Sequence, residues 1–292
     1  MHTHLTAFPD IVPKRKWAGH RFLCMEEQLA IHDKLNVEKG VILPIIAPEA
    51  QWMLMSNEEA KFLADKRPDR FVWFCNVDPR MAQYNKDADL EYIINHYKEL
   101  GAKGLGELTT PLDADDPMMD NLFAACERTG MPVLIHIAPQ HGYTYGIVDE
   151  PGLPRIEKML KKHPNMIMIG HSAAFWSEIS DYPLELRNDY PTGKIEKEGR
   201  LQQLLRECPN LYCDLSAGSG ANALMRDPEY AAKFIEEFAD RILYGADVCA
   251  VNNTFQYAFD EFLDKMVADQ MISLTNYEKI IRLNAVKLLG LE

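Results

Sequence analysis

Seven ionisable side chains stand where their types and spacing could do chemistry. His2 and His4 open the chain in MHTHLT, and residues two apart in an extended segment point to one side. Glu107 closes AKGLGE, His136 closes PVLIH, His171 lies in IGHS, Asp214 closes LYCD and Asp247 closes YGAD. Imidazoles and carboxylates are the ligands of divalent cations. Singly, each residue has an ordinary explanation: a hydrogen-bonded core histidine, a helix-capping aspartate at 214 or 247, a glutamate paired with a lysine. Together, the ordinary reading desolvates several charged groups with no counter-ion. A bound metal removes that difficulty, and such clusters mark functional sites.

The elements that must position these residues follow from periodicity. GVILPII (40–46), RFVWFCNV (70–77), AKGLGEL (102–108), MPVLIHI (131–137), NMIMIGH (165–171), NLYCDLS (210–216) and RILYGAD (241–247) read as strands. Amphipathic stretches at 57–67, 87–101, 117–130, 153–164, 199–209 and 228–240 read as helices between them, and two more helices close the chain. Strands this apolar, alternating with helices, imply a parallel sheet covered by helices. With the His2–His4 segment as strand 1, the count reaches eight β/α units. That predicts an α/β fold of the (β/α)₈ TIM-barrel type, one domain over residues 1–292. An open doubly wound sheet is the competitor. No Gly-x-Gly-x-x-Gly opens a helix here, and GAKGLGE lies before and within a strand. In a barrel, the candidate residues end their strands and converge on one mouth.

Composition narrows the partners. The chain has 292 residues and a formal net charge of −13, so a nucleic acid would be repelled overall. The basic stretches PKRK (13–16) and LKKH (160–163) are short and read as solvated faces. Six cysteines form no Cys-x-x-Cys and several lie in apolar runs, which reads as reduced core thiols of a cytoplasmic protein. The start lacks a leader's apolar region, and no apolar run reaches the length of a membrane span. The expected partner is a small-molecule substrate, with a homo-oligomer left open.

HTH, GLGE, PVLIH, IGHS and YGAD, in this order, resemble the metal-dependent amidohydrolase superfamily and, within it, the amidohydrolase 2 family. The resemblance runs through nearly the whole chain, including RFVWFCNVDPR and IIRLNAVKLLGL. It implies one or two divalent ions, zinc first and manganese second, on His2, His4, His136, His171 and Asp247. Many members bridge two ions with a carboxylated lysine on strand 4. Here Glu107 stands in that place, in a context similar to TatD-type metallohydrolases, and would bridge. Members carry several apolar residues before the His-x-His, whereas only Met1 precedes it here, so strand 1 is expected to be short or the true start to lie upstream.

The implied function is hydrolysis of a small ester, lactone or amide by a metal-bound hydroxide, with Asp247 moving the proton. The alternative is a non-oxidative decarboxylase of an unsaturated or aromatic carboxylic acid, similar to aminocarboxymuconate-semialdehyde decarboxylase. Such a site holds one metal and makes His171 catalytic instead of a ligand. A barrel that only binds a ligand is a third reading, and the near-complete ligand set speaks against it.

The remaining signals are weaker. The long stretch 138–154 after strand 5 reads as a lid or pocket wall, and His141 within it as an exposed histidine. Phe175 and Trp176 read as pocket wall or as packing, and Asp214 as a partner that orients a ligand histidine. DLSAGSGAN (214–222) has glycines where barrels bind phosphate, but only Arg226 is near, which disfavours it.

Overall fold

A computed structural model describes residues 1–14, 19–50, 53–250, 253 and 255–291. Arg15 and Lys16 of the PKRK stretch lie outside the described residues. Eight strands follow the predicted order: β1 (His2–Thr3), β2 (Gly40–Ile42), β3 (Phe71–Trp73), β4 (Leu105–Leu108), β5 (Val133–Ala138), β6 (Met168–His171), β7 (Leu211–Asp214) and β8 (Ile242–Leu243). All pair in parallel with their neighbours in sequence, β1 to β3 as one sheet and β4 to β8 as another. A two-residue strand, Ile147–Val148, also pairs with the end of β5.

The two sheets do not share a continuous ladder. At the seam between β3 and β4, the Cys75 amide donates to the Gly104 carbonyl at 2.9 Å and the Gly106 amide to the Cys75 carbonyl at 2.8 Å. At the seam between β8 and β1, the Met1 amino group donates to the Tyr244 carbonyl at 2.5 Å and the Asp247 amide to the His2 carbonyl at 3.0 Å. The strand order is therefore that of the expected (β/α)₈ barrel, with a few isolated hydrogen bonds where two ladders would close it. Strand 1 is short, as expected. β2 ends well before the predicted Ile46, and Pro44 supplies a reason, since it has no N–H to give a ladder.

Helices α1 (Met25–Lys34), α2 (Asn57–Lys66), α3 (Leu90–Glu99), α4 (Pro117–Thr129), α5 (Pro154–Lys162), α6 (Arg200–Glu207), α7 (Pro228–Phe238) and α8 (Phe255–Ala268) surround the strands. Their starts are written in the sequence. The side chains of Ser56, Asp89, Asp116 and Asp227 accept from amides of the following first turn, and prolines open α4 and α7. Helix α4 stops at Gly130, whose left-handed φ of 66° suits glycine. No helix among the described residues is long and apolar enough to cross a membrane.

Two apolar layers result from strand alternation. Ile42, Leu105, Val133 and Met168 face outward and pack with Leu63, Ile94, Leu122 and Ile156 of the helices. Val41, Leu43, Phe74, Leu134, Ile169 and Leu243 fill the interior, with Leu289 from the C-terminal helix among them. Full burial of each such side chain contributes about 1.5–3 kcal/mol. Leu134 stands directly opposite Ile169, and two residues further along the same faces His136 stands opposite His171. An apolar floor thus lies one layer below the imidazoles.

Candidate metal centre

Glu107, His136, His171 and Asp214 lie at or near the carboxyl ends of their strands, His2 opens the two-residue β1 with His4 just past it, and Asp247 follows β8. Glu107 is brought inward by β4, which presses hard on β5: a Cβ at Gly106 would lie 2.6 Å from the Leu134 carbonyl oxygen. Gly106 also has φ +142°, so only glycine fits both demands. Asp247 follows β8 with a left-handed φ of 45°, and its amide is tied to the His2 carbonyl. Such a conformation is unusual for a non-glycine residue and costs on the order of 1 kcal/mol, which is typical of functional positions.

The side chains form two adjoining groups. In the first, His2 Nε2 and His4 Nε2 are 3.0 Å apart, and Asp247 Oδ1 lies 3.7 Å and 3.8 Å from them. Glu107 Oε2 is 3.2 Å from His4 Nε2 and 3.7 Å from His2 Nε2. In the second, Glu107 Oε1 is 2.6 Å from His136 Nδ1 and 4.0 Å from His171 Nε2. Glu107 therefore turns one oxygen to each group. All six expected ligands come together. Asp214 sits beneath them, with Oδ2 2.8 Å from His2 Nδ1.

The donor set fits a cation. His4 Nδ1 lies 3.0 Å from the Leu43 carbonyl, which can only accept, so Nδ1 carries the proton. A neutral His4 then presents the Nε2 lone pair. His2 Nδ1 faces the Asp214 carboxylate in the same way. Nε2 of His2 and Nε2 of His4 then face each other at 3.0 Å, a contact that a proton on His2 closes in the metal-free chain and that a shared metal ion would take over. Zinc–nitrogen bonds of about 2.0–2.1 Å are compatible with ligand nitrogens about 3 Å apart.

Electrostatics agrees with a cluster of strong acceptors. Burial resists ionisation of Glu107, but the charge and hydrogen bond of His136, with hydrogen bonds from His2 and His4, hold it well below the usual carboxylate range. Burial likewise opposes the Asp214 anion, and hydrogen bonds from His171 and His2 overcome it and lower its pKa. Burial disfavours His2 protonation, yet the charge of Asp247 and hydrogen bonds to Asp214 and Glu107 raise its pKa well above the ordinary histidine value. For His136 burial wins and the pKa falls, against the opposing pull of Glu107. The Asp247 side chain is 14 % exposed, against 4 % for Glu107, so it is the carboxylate open to the cavity.

That cavity has a volume of about 590 Å³. The stretch 138–154 forms part of its wall, as expected, through Thr144 and Tyr145, and the Tyr145 ring lies 4.3 Å from that of His136. Asn188, Asp189 and Tyr190 also line the cavity. Among the described residues that line it there is no lysine or arginine. His141 points elsewhere and pairs with Asp113 at 2.9 Å. Phe175 and Trp176 are fully packed, and the Trp176 indole donates to the Asp214 carbonyl at 2.9 Å. Of the two readings open for this aromatic pair, packing is the one seen. Sequence reasoning missed the Leu43 carbonyl and the role of Ser216. A polar residue two positions past Asp214 was the signal available for Ser216; a backbone carbonyl leaves none.

Comparison with known proteins places this geometry. No curated protein matches the chain. Among solved structures, a dihydroxybenzoic acid decarboxylase from Polaromonas sp. JS666, bound to manganese and an inhibitor, is 18% identical, with a TM-score of 0.57 over 99% of this chain and 95% of that one. A zinc-bound amidohydrolase from Burkholderia multivorans is 13% identical, with a TM-score of 0.64 over 99% and 98%. A Pseudomonas putida protein described as a candidate 2-pyrone-4,6-dicarboxylic acid hydrolase is 14% identical, with a TM-score of 0.64 over 100% and 96%. At these identities they establish the TIM-barrel fold. The Amidohydro_2 profile, described as Amidohydrolase, matches residues 45–291, a span that holds Glu107, His136, His171 and Asp247 and starts after His2 and His4. On that match, over most of its length, the chain belongs to the amidohydrolase family.

Proposed function

We propose that this chain is a metal-dependent hydrolase of a small ester, lactone or amide-type substrate, working with two divalent ions. The observation that carries the reading is Glu107, whose Oε2 faces His2 and His4 while Oε1 faces His136 and His171. His2, His4, Asp247 and Glu107 Oε2 would hold one ion, and His136, His171 and Glu107 Oε1 the other. A divalent ion, when bound there, supplies an acidified water and a Lewis acid for the scissile carbonyl. Zinc suits the imidazoles and manganese the bridging carboxylate, and relatives of the same fold hold one or the other.

The chain's own residues supply the rest. Asp247 faces the cavity and takes the proton of the attacking water, then returns it to the leaving group. Tyr145 and Tyr190 wall a space that suits a ring-sized substrate and keeps bulk water from the reacting carbonyl. The cavity wall offers no lysine or arginine among its described residues, and His20 stands on it outside the two ligand groups. Glu107 and Asp247 together neutralise a single divalent ion, which leaves such a centre without surplus positive charge for an anion. That favours hydrolysis at a two-ion centre, whose surplus positive charge would also accept an anionic lactone or ester, over the decarboxylase reading, in which His171 would act on an aromatic or unsaturated acid.

The test is a side-by-side assay of the zinc- or manganese-loaded protein. Simple lactones, aryl esters and cyclic amides are followed by acid release, and dihydroxybenzoates by carbon dioxide. Acid release without carbon dioxide is the expected result. Carbon dioxide from an aromatic acid, with no hydrolysis of any ester or lactone, would overturn the reading.

A further inference from the structure

One carboxylate and one hydroxyl sit below the mouth, between two histidines of different ligand groups. His2 Nδ1 is 2.8 Å from Asp214 Oδ2, and Ser216 Oγ is 2.6 Å from that same oxygen. Ser216 Oγ is also 3.1 Å from His171 Nδ1 and 3.1 Å from His2 Nδ1. His171 Nδ1 lies 3.3 Å from Asp214 Oδ2. All four side chains are buried, so water does not complete their hydrogen bonding.

The protons in this group can be counted. An ionised Asp214 only accepts, and the Ser216 hydroxyl has one proton to donate. Its shortest contact is to Asp214, at a length typical of a hydroxyl donating to a carboxylate. The Ser216 oxygen is then left as an acceptor, and His171 Nδ1 is in reach to donate to it. His2 Nδ1 donates to Asp214. Every contact is satisfied when both rings carry their proton on Nδ1. The other tautomer at His2 would set a lone pair against a carboxylate oxygen at 2.8 Å. The other tautomer at His171 would need the hydroxyl proton that Asp214 already takes.

We propose that Asp214 and Ser216 form one shared positioning pair that fixes His2 and His171 as Nδ1–H tautomers, one ring for each ligand group. Both rings then present Nε2 lone pairs toward the mouth. This rests on the reading of those Nε2 atoms as metal ligands. The pair is itself held rigidly. The Ser216 amide donates to Asp214 Oδ1 at 3.0 Å, and the Trp176 indole to the Asp214 carbonyl. Room for it is left by Gly245, where a Cβ would fall 2.5 Å from Asp214 Oδ1 and 2.8 Å from the Ser216 Cβ. The glycine of YGAD thus makes room for the residues at the end of the neighbouring strand.

Two measurements test the pair. Long-range proton–nitrogen NMR of the ¹⁵N-histidine-labelled chain reports the tautomer of each ring directly, with zinc and after chelation. Competition with a chromophoric chelator reports zinc affinity in Ser216→Ala, Ser216→Thr and Asp214→Asn. Nδ1–H is expected at both rings of the zinc-loaded wild type and at His171 after chelation, where His2 carries a proton on each nitrogen. Ser216→Ala should weaken the weaker zinc step about 10–100-fold, Ser216→Thr should restore it, and Asp214→Asn should weaken both steps. Nε2–H at His171 in the wild type, or unchanged affinities in Ser216→Ala, would overturn the pair. Should Ser216→Ala not fold, the wild-type tautomers decide alone. Nδ1–H rings with Ser216-dependent affinity support the pair even if no ester or lactone is turned over, a failure that would fall on the proposed reaction only.

Discussion

The two sheets of the barrel bring imidazoles to one mouth by different means. In the larger sheet, β5 has six residues and β6 has four, and His136 stands opposite His171 in a register fixed by four consecutive pairs. Backbone ladders there set where the rings are. In the smaller sheet, β1 has two residues, so the ladder can fix little. The rings of His2 and His4 are aimed instead by their far nitrogens, onto Asp214 and onto the Leu43 carbonyl. The difference teaches that a ligand on a short strand is placed chiefly by its side-chain or carbonyl anchor, whereas on a long strand the backbone places the ring and an anchor such as Ser216 beside His171 sets only its tautomer. Glu107 joins the two halves by facing both.

The comparison can be broken most severely at the residues both halves share. Asp247→Asn keeps the shape and removes the base, so turnover should fall by about 10²–10⁴ with an unchanged circular dichroism spectrum. A drop of less than tenfold would take Asp247 out of the proton transfer. Next in size is the floor of the larger sheet. Leu134→Ala removes the side chain directly opposite Ile169, and urea unfolding should show a loss of about 2–5 kcal/mol. A loss of zinc affinity as large at the His2–His4 group as at the His136–His171 group would contradict the separate placement of the two pairs of rings.

A pH titration sharpens the same contrast without mutation. In the chelated protein the His2 pKa stands well above its unfolded value of about 6.5, because the charge of Asp247 and hydrogen bonds to Asp214 and Glu107 outweigh the burial that opposes them. Its stabilising contribution is therefore complete below about pH 6.5 and is lost as pH rises through the folded value. The buried Met1 amino group, lowered from 8.0 to about 6, adds stability as pH rises between those values, so the melting temperature of the chelated chain should decline above about pH 8, and zinc should restore it. A melting temperature that still rises with pH above that point would contradict the assignment. The smallest expected effect is Ser56→Ala, which removes the cap of α2 and should cost about 1 kcal/mol with no change in zinc binding.

Much of this arrangement was legible in the sequence, for identifiable reasons. Apolar runs ending in a single ionisable residue located β4 to β8 because parallel strands buried on both faces leave no other place for polarity. Capping residues and closing glycines located most helices. Helix α1 was not anticipated, and its buried Gln28 and His32 show why: the buried face is interrupted by polar residues. The extents of β2 and β3 were overestimated, since an apolar run tells that a segment is buried but not where its ladder stops. The six candidate ligands were readable from strand ends. Their anchors were less so, since Leu43 contributes only a carbonyl and Ser216 acts through contacts over 45 residues or more in sequence. The choice between hydrolysis and decarboxylation depends on the way Glu107 divides its oxygens, which is a property of the folded mouth and not of any motif.

The central claim is a two-ion centre bridged by Glu107. The most direct measurement is metal content per chain, by elemental mass spectrometry on protein purified with neither added metal nor chelator, alongside Glu107→Gln. The account predicts about two ions per wild-type chain and a clear loss in the variant. About one ion in the wild type, unchanged by Glu107→Gln and not raised by added zinc or manganese, would contradict it.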